Sequence, residues 1–329
     1  MRRRRSSGRL IAALALVASA LPSTPAAGQE PASEGALFLL LPIGARAVGT
    51  GQAIVADRPG GEAIWWNPSA LAHAERTEAA IHHSQSIVAT GDAVTIVVPS
   101  ALLGVIAVGA NILNFGKQEV RDTVGTLGVL LPRNIVYTAS YATPVGRWLS
   151  AGAAYKIVQL RLDCSGGCAG IPTVSASSSA IDAGIQGSLA RWAPVDVGIA
   201  LRNVGPRLQV NDRDQADPLP TRLQVGVSAT IPQVKRATRD LALRVNLDAL
   251  DRVRFNTPSL RLGATLDYRD RAYLRGGFLS ERGAGDGEGP SIGFGITSGS
   301  LSVDIARIMR GLSAESGEPP TFVSLRYSF

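Results

Sequence analysis

The sequence predicts an all-β protein: a transmembrane antiparallel β-barrel of about 14 strands, preceded by an N-terminal plug segment. Three observations carry that expectation. An export leader has no transmembrane helix behind it, most of the remaining chain alternates with a period of two, and its connections alternate between short and long.

The leader comes first, over residues 1–28. Arg2, Arg3, Arg4, Arg5 and Arg9 precede a twelve-residue apolar run from Leu10 to Leu21, and small residues follow. Those are the n-, h- and cleavage regions of a secretory signal peptide, with cleavage placed after Ala20 or near Ala27-Gly28. The run is too short to span a bilayer as a helix, and no cysteine near the cleavage point offers a lipid anchor. The next apolar run, Ala36 to Ile43, ends at Pro42 and Gly44, so residence in a membrane requires a closed barrel. The leader also accounts for the charge. The formal net charge of +7 falls to +2 without its five arginines, which removes the case for a nucleic-acid partner. With 36 glycines and few lysines, the composition also disfavours an ordinary cytosolic helical enzyme.

The segment 29–77 is expected to act as a plug. Gly44-Ala45-Arg46-Ala47-Val48-Gly49-Thr50-Gly51-Gln52-Ala53-Ile54-Val55-Ala56 is followed, after a turn-rich stretch, by Trp65-Trp66-Asn67-Pro68-Ser69-Ala70-Leu71-Ala72. Gly44, Gly49 and Gly51 let backbone approach backbone, as a segment threaded inside a barrel requires. Asn67-Pro68 initiates a turn, because Asn bonds neighbouring backbone and proline fixes the next φ. Trp65 and Trp66 are placed either in the lumen or at the membrane interface. Gly49-x-Gly51 lacks the third glycine and the βαβ setting of a dinucleotide site.

The barrel proper is expected over 78–329. Leu260, Leu262, Ala264, Leu266 and Tyr268 alternate with Arg261, Gly263, Thr265 and Asp267, and comparable alternation runs through 181–189, 195–202, 223–231 and 241–248. The polar face carries charges that a packed sandwich core does not accept unpaired, whereas an apolar exterior around a wet interior fits a membrane barrel. Strands are expected near 78–86, 92–98, 104–112, 134–143, 148–162, 179–189, 195–204, 221–231, 240–248, 258–268, 271–280, 290–297, 301–308 and 320–329. Short turns such as Arg269-Asp270 fall on one side. Long connections fall on the other: Leu113–Arg133, Asp163–Ser178, Gly205–Pro220, Glu281–Gly289 and Met309–Pro319, with a short first hairpin near Ile87–Gly91 as the exception.

In the last strand Val323, Leu325, Tyr327 and Phe329 share one face, opposite Ser324, Arg326 and Ser328. This resembles the C-terminal recognition strand that the outer-membrane assembly machinery reads. The motif pair in the plug segment resembles the opening of the PorV/PorQ family, within the superfamily of long-chain fatty-acid transporter-like (FadL-like) barrels. The similarity continues through Tyr141-Ala142 and Gly152-Ala153-Ala154-Tyr155-Lys156. The resemblance implies a fourteen-stranded outer-membrane barrel whose N-terminal segment packs into or beneath the lumen. It further implies either type IX protein secretion or passage of hydrophobic compounds.

Candidate chemistry is sparse. Cys164-Ser165-Gly166-Gly167-Cys168 lies in an outward loop, and with two cysteines on an oxidising export route it reads as a disulfide rather than a metal site. His82 and His83 sit on opposite faces of one strand and cannot chelate together, and His73 is nine residues upstream. The acidic loop Gly283-Ala284-Gly285-Asp286-Gly287-Glu288-Gly289 lacks the ligand pattern of a calcium loop and reads as a solvated tip. No serine elbow, zincin motif or P-loop occurs, so no catalytic residue, cofactor or metal is expected. Three functions are weighed, with the first leading: outer-membrane type IX secretion with exported cargo as partner, passive transport of hydrophobic small molecules, and a soluble secreted β-protein. In the first two, outer-membrane lipid and the assembly machinery are the general partners.

Overall fold

Each predicted strand carries one apolar face and one face of small or polar residues, and such strands satisfy both faces when the sheet closes on itself. The computed structural model describes residues 34–121, 125–168, 174–190, 193–209, 216–232, 234, 238, 240–280, 289–310 and 317–329. Among them fifteen strands form one antiparallel sheet. The first five are β1 (Glu78–Gln85), β2 (Thr90–Ser100), β3 (Gly104–Asn114), β4 (Gln118–Arg121) and β5 (Thr126–Val145). The next five are β6 (Leu149–Gly166), β7 (Val174–Ser188), β8 (Val195–Val204), β9 (Arg222–Ile231) and β10 (Leu241–Asp251). The last five are β11 (Ser259–Tyr268), β12 (Ala272–Ser280), β13 (Gly289–Ser298), β14 (Leu301–Ile308) and β15 (Thr321–Ser328). β1 pairs with β15, Glu78 opposite Ser328, and β3 pairs with β5, which closes a barrel of fourteen strands. β4 stands outside that ring and pairs with an extension of β5.

The two faces are chemically distinct. Outward residues such as Ile96, Val108, Tyr137, Leu262 and Phe294 are each roughly half exposed, while their inward neighbours Thr95, Ala107, Thr138 and Arg261 are buried. Among the described residues no second sheet covers the apolar side, as a soluble sandwich requires. This is the alternation of an outer-membrane barrel.

The connections divide the ends. At one end, here the base, the turns 101–103, 146–148, 269–271 and 299–300 are short. The other end, the mouth, carries the long connections 205–221, 252–258 and 309–320. Two expected loops prove shorter than drawn. Most of Leu113–Arg133 and part of Asp163–Ser178 belong to β4, β5, β6 and β7, because β5 runs for 20 residues and β6 for 18, beyond the closed ring. Gly128 still pairs with Gly166 there. That part of the hairpin needs no apolar outer face, so hydrophobic alternation does not mark it. Residues 1–28, expected to form the signal peptide, residues 29–33 of the expected plug and most of the acidic loop lie outside the described residues; Gly289 opens β13.

The interior, expected to be wet, is packed. Residues 34–77 thread it as a short 3-10 turn (Leu37–Leu40), α1 (Ala45–Gly49), a second 3-10 turn (Gly60–Glu62), α2 (Ala63–Trp66) and a third 3-10 turn (Pro68–His73) with tight links between them. Ile54, Ile64, Trp65, Trp66 and Leu71 form a buried cluster with Val97 and Ala107 of the wall. Phe38 packs near the mouth with Val136, Val158, Leu208 and Leu219.

Candidate functional site

The plug can lie this close to the wall because the wall is glycine where the two meet. Three cross-strand pairs face inward: Gly152 opposite Gly184, Gly198 opposite Gly226, and Gly263 opposite Gly277. A Cβ on Gly152 would stand 2.5 Å from the Pro68 carbonyl carbon, and one on Gly263 would stand 2.5 Å from the Thr50 oxygen. On the plug side, a Cβ on Gly51 would meet the wall backbone of Leu262 and Phe278 at 2.6 Å, and Gly51 also has φ +61°. Gly49 abuts the Cα of Gly293, and Gly44, at φ +95°, makes room for the Glu62 carboxyl. The contacts at Gly51, Gly152 and Gly263 are close backbone approaches that glycine permits.

Wall side chains then replace the strand partner that the plug backbone lacks. Asp248 accepts the Ile54 and Val55 N–H groups at 2.7 and 2.8 Å. Asn246 donates to the Ala53 carbonyl at 2.9 Å, and Gln224 donates to Asp248 at 2.8 Å and to the Gln52 carbonyl at 3.2 Å. Gln186 donates to the Ala56 and Asp57 carbonyls at 2.7 and 3.0 Å. Residues 52–57 are thus hydrogen-bonded by β7, β9 and β10 without joining the sheet. A buried backbone left unpaired would carry a large penalty at each group.

Asn67 makes the turn below. Its side chain accepts from the Ser69 N–H at 3.1 Å and Oγ at 2.7 Å and donates to the Val55 carbonyl at 2.6 Å, with Pro68 opening the 3-10 turn behind it. Trp65 donates to Thr95 Oγ1 at 3.1 Å and Trp66 to the Ile43 carbonyl at 2.9 Å; both rings are buried in the lumen rather than at the interface.

Charge is handled in pairs. Arg46 donates to Asp57 at 3.2 Å, and Arg244 of the wall reaches the same carboxylate. Burial raises the Asp57 carboxyl, but the two guanidiniums outweigh it and hold it well below the usual carboxylate range. Glu62 instead caps α1 with its carboxylate, accepting the Ala47 N–H at 3.0 Å and the Arg46 N–H at 3.3 Å. Burial, reinforced by the nearby Asp304, pushes Glu62 up to about 7. At the mouth Glu34 bonds Arg222 at 2.7 Å and Arg252 at 3.0 Å, and these arginines outweigh burial and lower its pKa.

Between this mouth latch and the plug lies a crevice lined by Phe38, Leu39, Leu41, Ile43, Trp65 and Trp66 from the N-terminal segment and by Val136, Asn111, Lys156 and Arg202 from the wall. Its cavity volume is about 30 Å³, so a guest larger than a water molecule must displace side chains to enter. Its cations are occupied: Lys156 pairs with Asp182 at 2.6 Å, and the Arg202 guanidinium lies 5.1 Å over the Trp66 ring. The face presented to a guest is therefore mixed, apolar along Phe38, Leu39, Ile43 and Trp66 and polar along Asn111, Lys156 and Arg202.

The other predicted residues lie away from the lumen core. Cys164 and Cys168 are joined at the tip of the β5–β6 extension. Val323, Leu325, Tyr327 and Phe329 line the outer face of β15, with Phe329 edge-on to Tyr327 at 4.9 Å. Their inward neighbour Ser324 holds the plug by accepting the Ala45 N–H at 2.9 Å. His82 faces inward onto Ser324, and His83 faces outward onto Asp92 at 2.8 Å. Asp248, Asn246, Gln224, Gln186, Glu62 and Asp57 are the residues the sequence reading did not single out.

No family model and no curated protein sequence matches the chain. Its fold is that of solved barrels. The toluene transporter TbuX of Ralstonia pickettii aligns at TM-score 0.54 and 14% identity, over 87% of this chain and 98% of its own. The CymD monoaromatic hydrocarbon channel aligns at 0.58 and 14%, over 90% and 99%. A Pseudomonas aeruginosa FadL homologue aligns at 0.51 and 13%, over 88% and 98%.

Proposed function

We propose that this chain is a non-enzymatic outer-membrane channel for hydrophobic small molecules, with its mouth on the cell surface and its base in the periplasm. The observation that carries the reading is the crevice lined by Phe38 and Trp66, inside a barrel whose axial path is filled by the plug. A filled lumen excludes bulk water and ions, while the Phe38, Leu39, Ile43 and Trp66 side of the crevice offers apolar contact to a small hydrophobic molecule once side chains make room. The similarity to solved hydrocarbon channels supports the same reading.

The secretion reading rests on the plug motif, and Gly49, Gly51, Trp65, Asn67 and Pro68 are all buried against the wall. They offer no surface to exported cargo, so transport leads. The test is whole-cell uptake of radiolabelled toluene by bacteria with and without the gene. Uptake should rise with the chain present and fall several-fold in Phe38→Asp, which puts a charge in the crevice. Equal uptake with and without the chain, together with a defect in protein export on deletion, would return the secretion reading to first place.

A further inference from the structure

Outside the lumen, the wall sector β3–β5–β6–β7 carries a feature the channel does not use. Arg133 on β5 and Arg161 on β6 are direct cross-strand partners, and both are exposed on the outer face. Like charges placed opposite each other in a sheet repel. Arg133 has Asp163 at 3.3 Å, one step further toward the mouth, and Arg161 reaches the Gln159 amide at 3.5 Å. The group therefore carries two positive charges against one negative. In register beside it stand Asn114 on β3 and Ser175 on β7, so the rung is polar across four strands.

Its height is what gives it meaning. From Ile135 to Val145 on β5, and from Ile157 to Leu149 on β6, the outward positions are apolar apart from Thr143. Ten residues at about 3.4 Å each, tilted about 40°, rise roughly 26 Å, close to the apolar band of such barrels. The base of the same sector ends in Trp148, with Arg147 at 5.9 Å from its ring centre, a pairing suited to an interface. The arginine rung thus stands one outward step above Ile135 on β5 and two above Ile157 on β6, where Gln159 intervenes, at the level of lipid headgroups.

We propose that Arg133 and Arg161 bind the phosphate of an anionic glycolipid in the outer leaflet, on the outside of the barrel. This rests on the outer-membrane reading above. Two guanidinium forks match a phosphate's oxygens, and the bound anion removes the repulsion between them. Asn114 and Ser175 supply neutral polar groups at the same level.

The test is native mass spectrometry of the full chain, folded in detergent and titrated with bis-phosphorylated lipid A or its dephosphorylated form. The wild type should retain the phosphorylated lipid at least tenfold better than Arg133→Gln/Arg161→Gln, and the dephosphorylated form should not distinguish them. Asp163→Asn, which removes the opposing charge and keeps both arginines, should retain more than wild type. Equal retention by wild type and the double variant, or no preference for phosphate, overturns the site. Displacement by millimolar inorganic phosphate as effective as by the lipid reduces it to a free-anion site and also overturns it. A chain that fails to insert into lipid vesicles, judged by heat-modifiable mobility, sinks the outer-membrane reading and the site together. Normal insertion without lipid preference sinks the site alone.

Discussion

At the scale of single residues, the docked state depends on side chains that turn the wall into a backbone partner. Asp248 is the most heavily used, since one carboxylate oxygen takes two plug N–H groups and the Gln224 amide. Asp248→Asn sets an NH2 group among donors and should weaken plug docking by about 1–3 kcal/mol, read from the urea midpoint of Trp65 and Trp66 fluorescence. Glu62 gives docking a pH dependence. Its pKa is raised when folded, so the docked state binds a proton that the undocked chain releases between pH 4.5 and about 7. Docking is therefore strongest at the acid end of that window and weakens as pH rises, by on the order of 3 kcal/mol. Glu62→Gln should flatten that dependence, and an unchanged slope would reassign it to other groups. Gly49, Gly51 and Asn67 were legible in the sequence because close approach and turn chemistry restrict residue type. Asp248, Gln186 and Gln224 were not, since on the polar face of an alternating strand an amide looks the same whether it meets water or a plug. The signal available was an amide two residues from a glycine, as in Gly184–Gln186 and Gln224–Gly226, which puts a donor and a bare backbone on one face.

At the scale of elements, the alternation located all fourteen barrel strands, with most ends within two or three residues, because lipid outside and packing inside demand unlike faces at every step. It failed where those demands stop. β4 and the outer parts of β5 and β6 stand beyond the ring, exposed to water, and Gly, Ser and charge there read as loop. The Cys164–Cys168 bond closes a very short loop at this tip. Its loss in Cys164→Ser/Cys168→Ser should cost less than about 2 kcal/mol of barrel stability, since little chain entropy is at stake. Faster proteolysis of the β5–β6 tip, with an unchanged barrel melting temperature, is the expected pair of results.

For the whole molecule, the barrel and its plug form one packed body, and what the sequence left open was how the interior is filled. Short-range patterns report which face a residue takes, not which distant segment covers it. Closure at the β1–β15 seam brings Phe329 beside the start of β1, its N–H donating to the Thr77 carbonyl at 2.8 Å. We propose that Val323, Leu325, Tyr327 and Phe329 also form the signal read during assembly. Removing Phe329 should then lower the yield of folded chain in the outer membrane several-fold while sparing refolding in detergent. Equal losses in both settings would make the residue structural only.

The sequence distances across the plug contacts have a kinetic consequence. Ala45 meets Ser324 across 279 residues, and Ile54 meets Asp248 across 194. The first part of the described chain to be synthesised is thus unable to find its partners until nearly all the rest exists. Such non-local closure is slow to form. Until the seam shuts, Phe38, Trp65 and Trp66 have no lumen to occupy, and the nascent chain must carry them exposed. Until closure those side chains need shielding from water and from one another, separate from the shielding of the outward apolar faces of the strands.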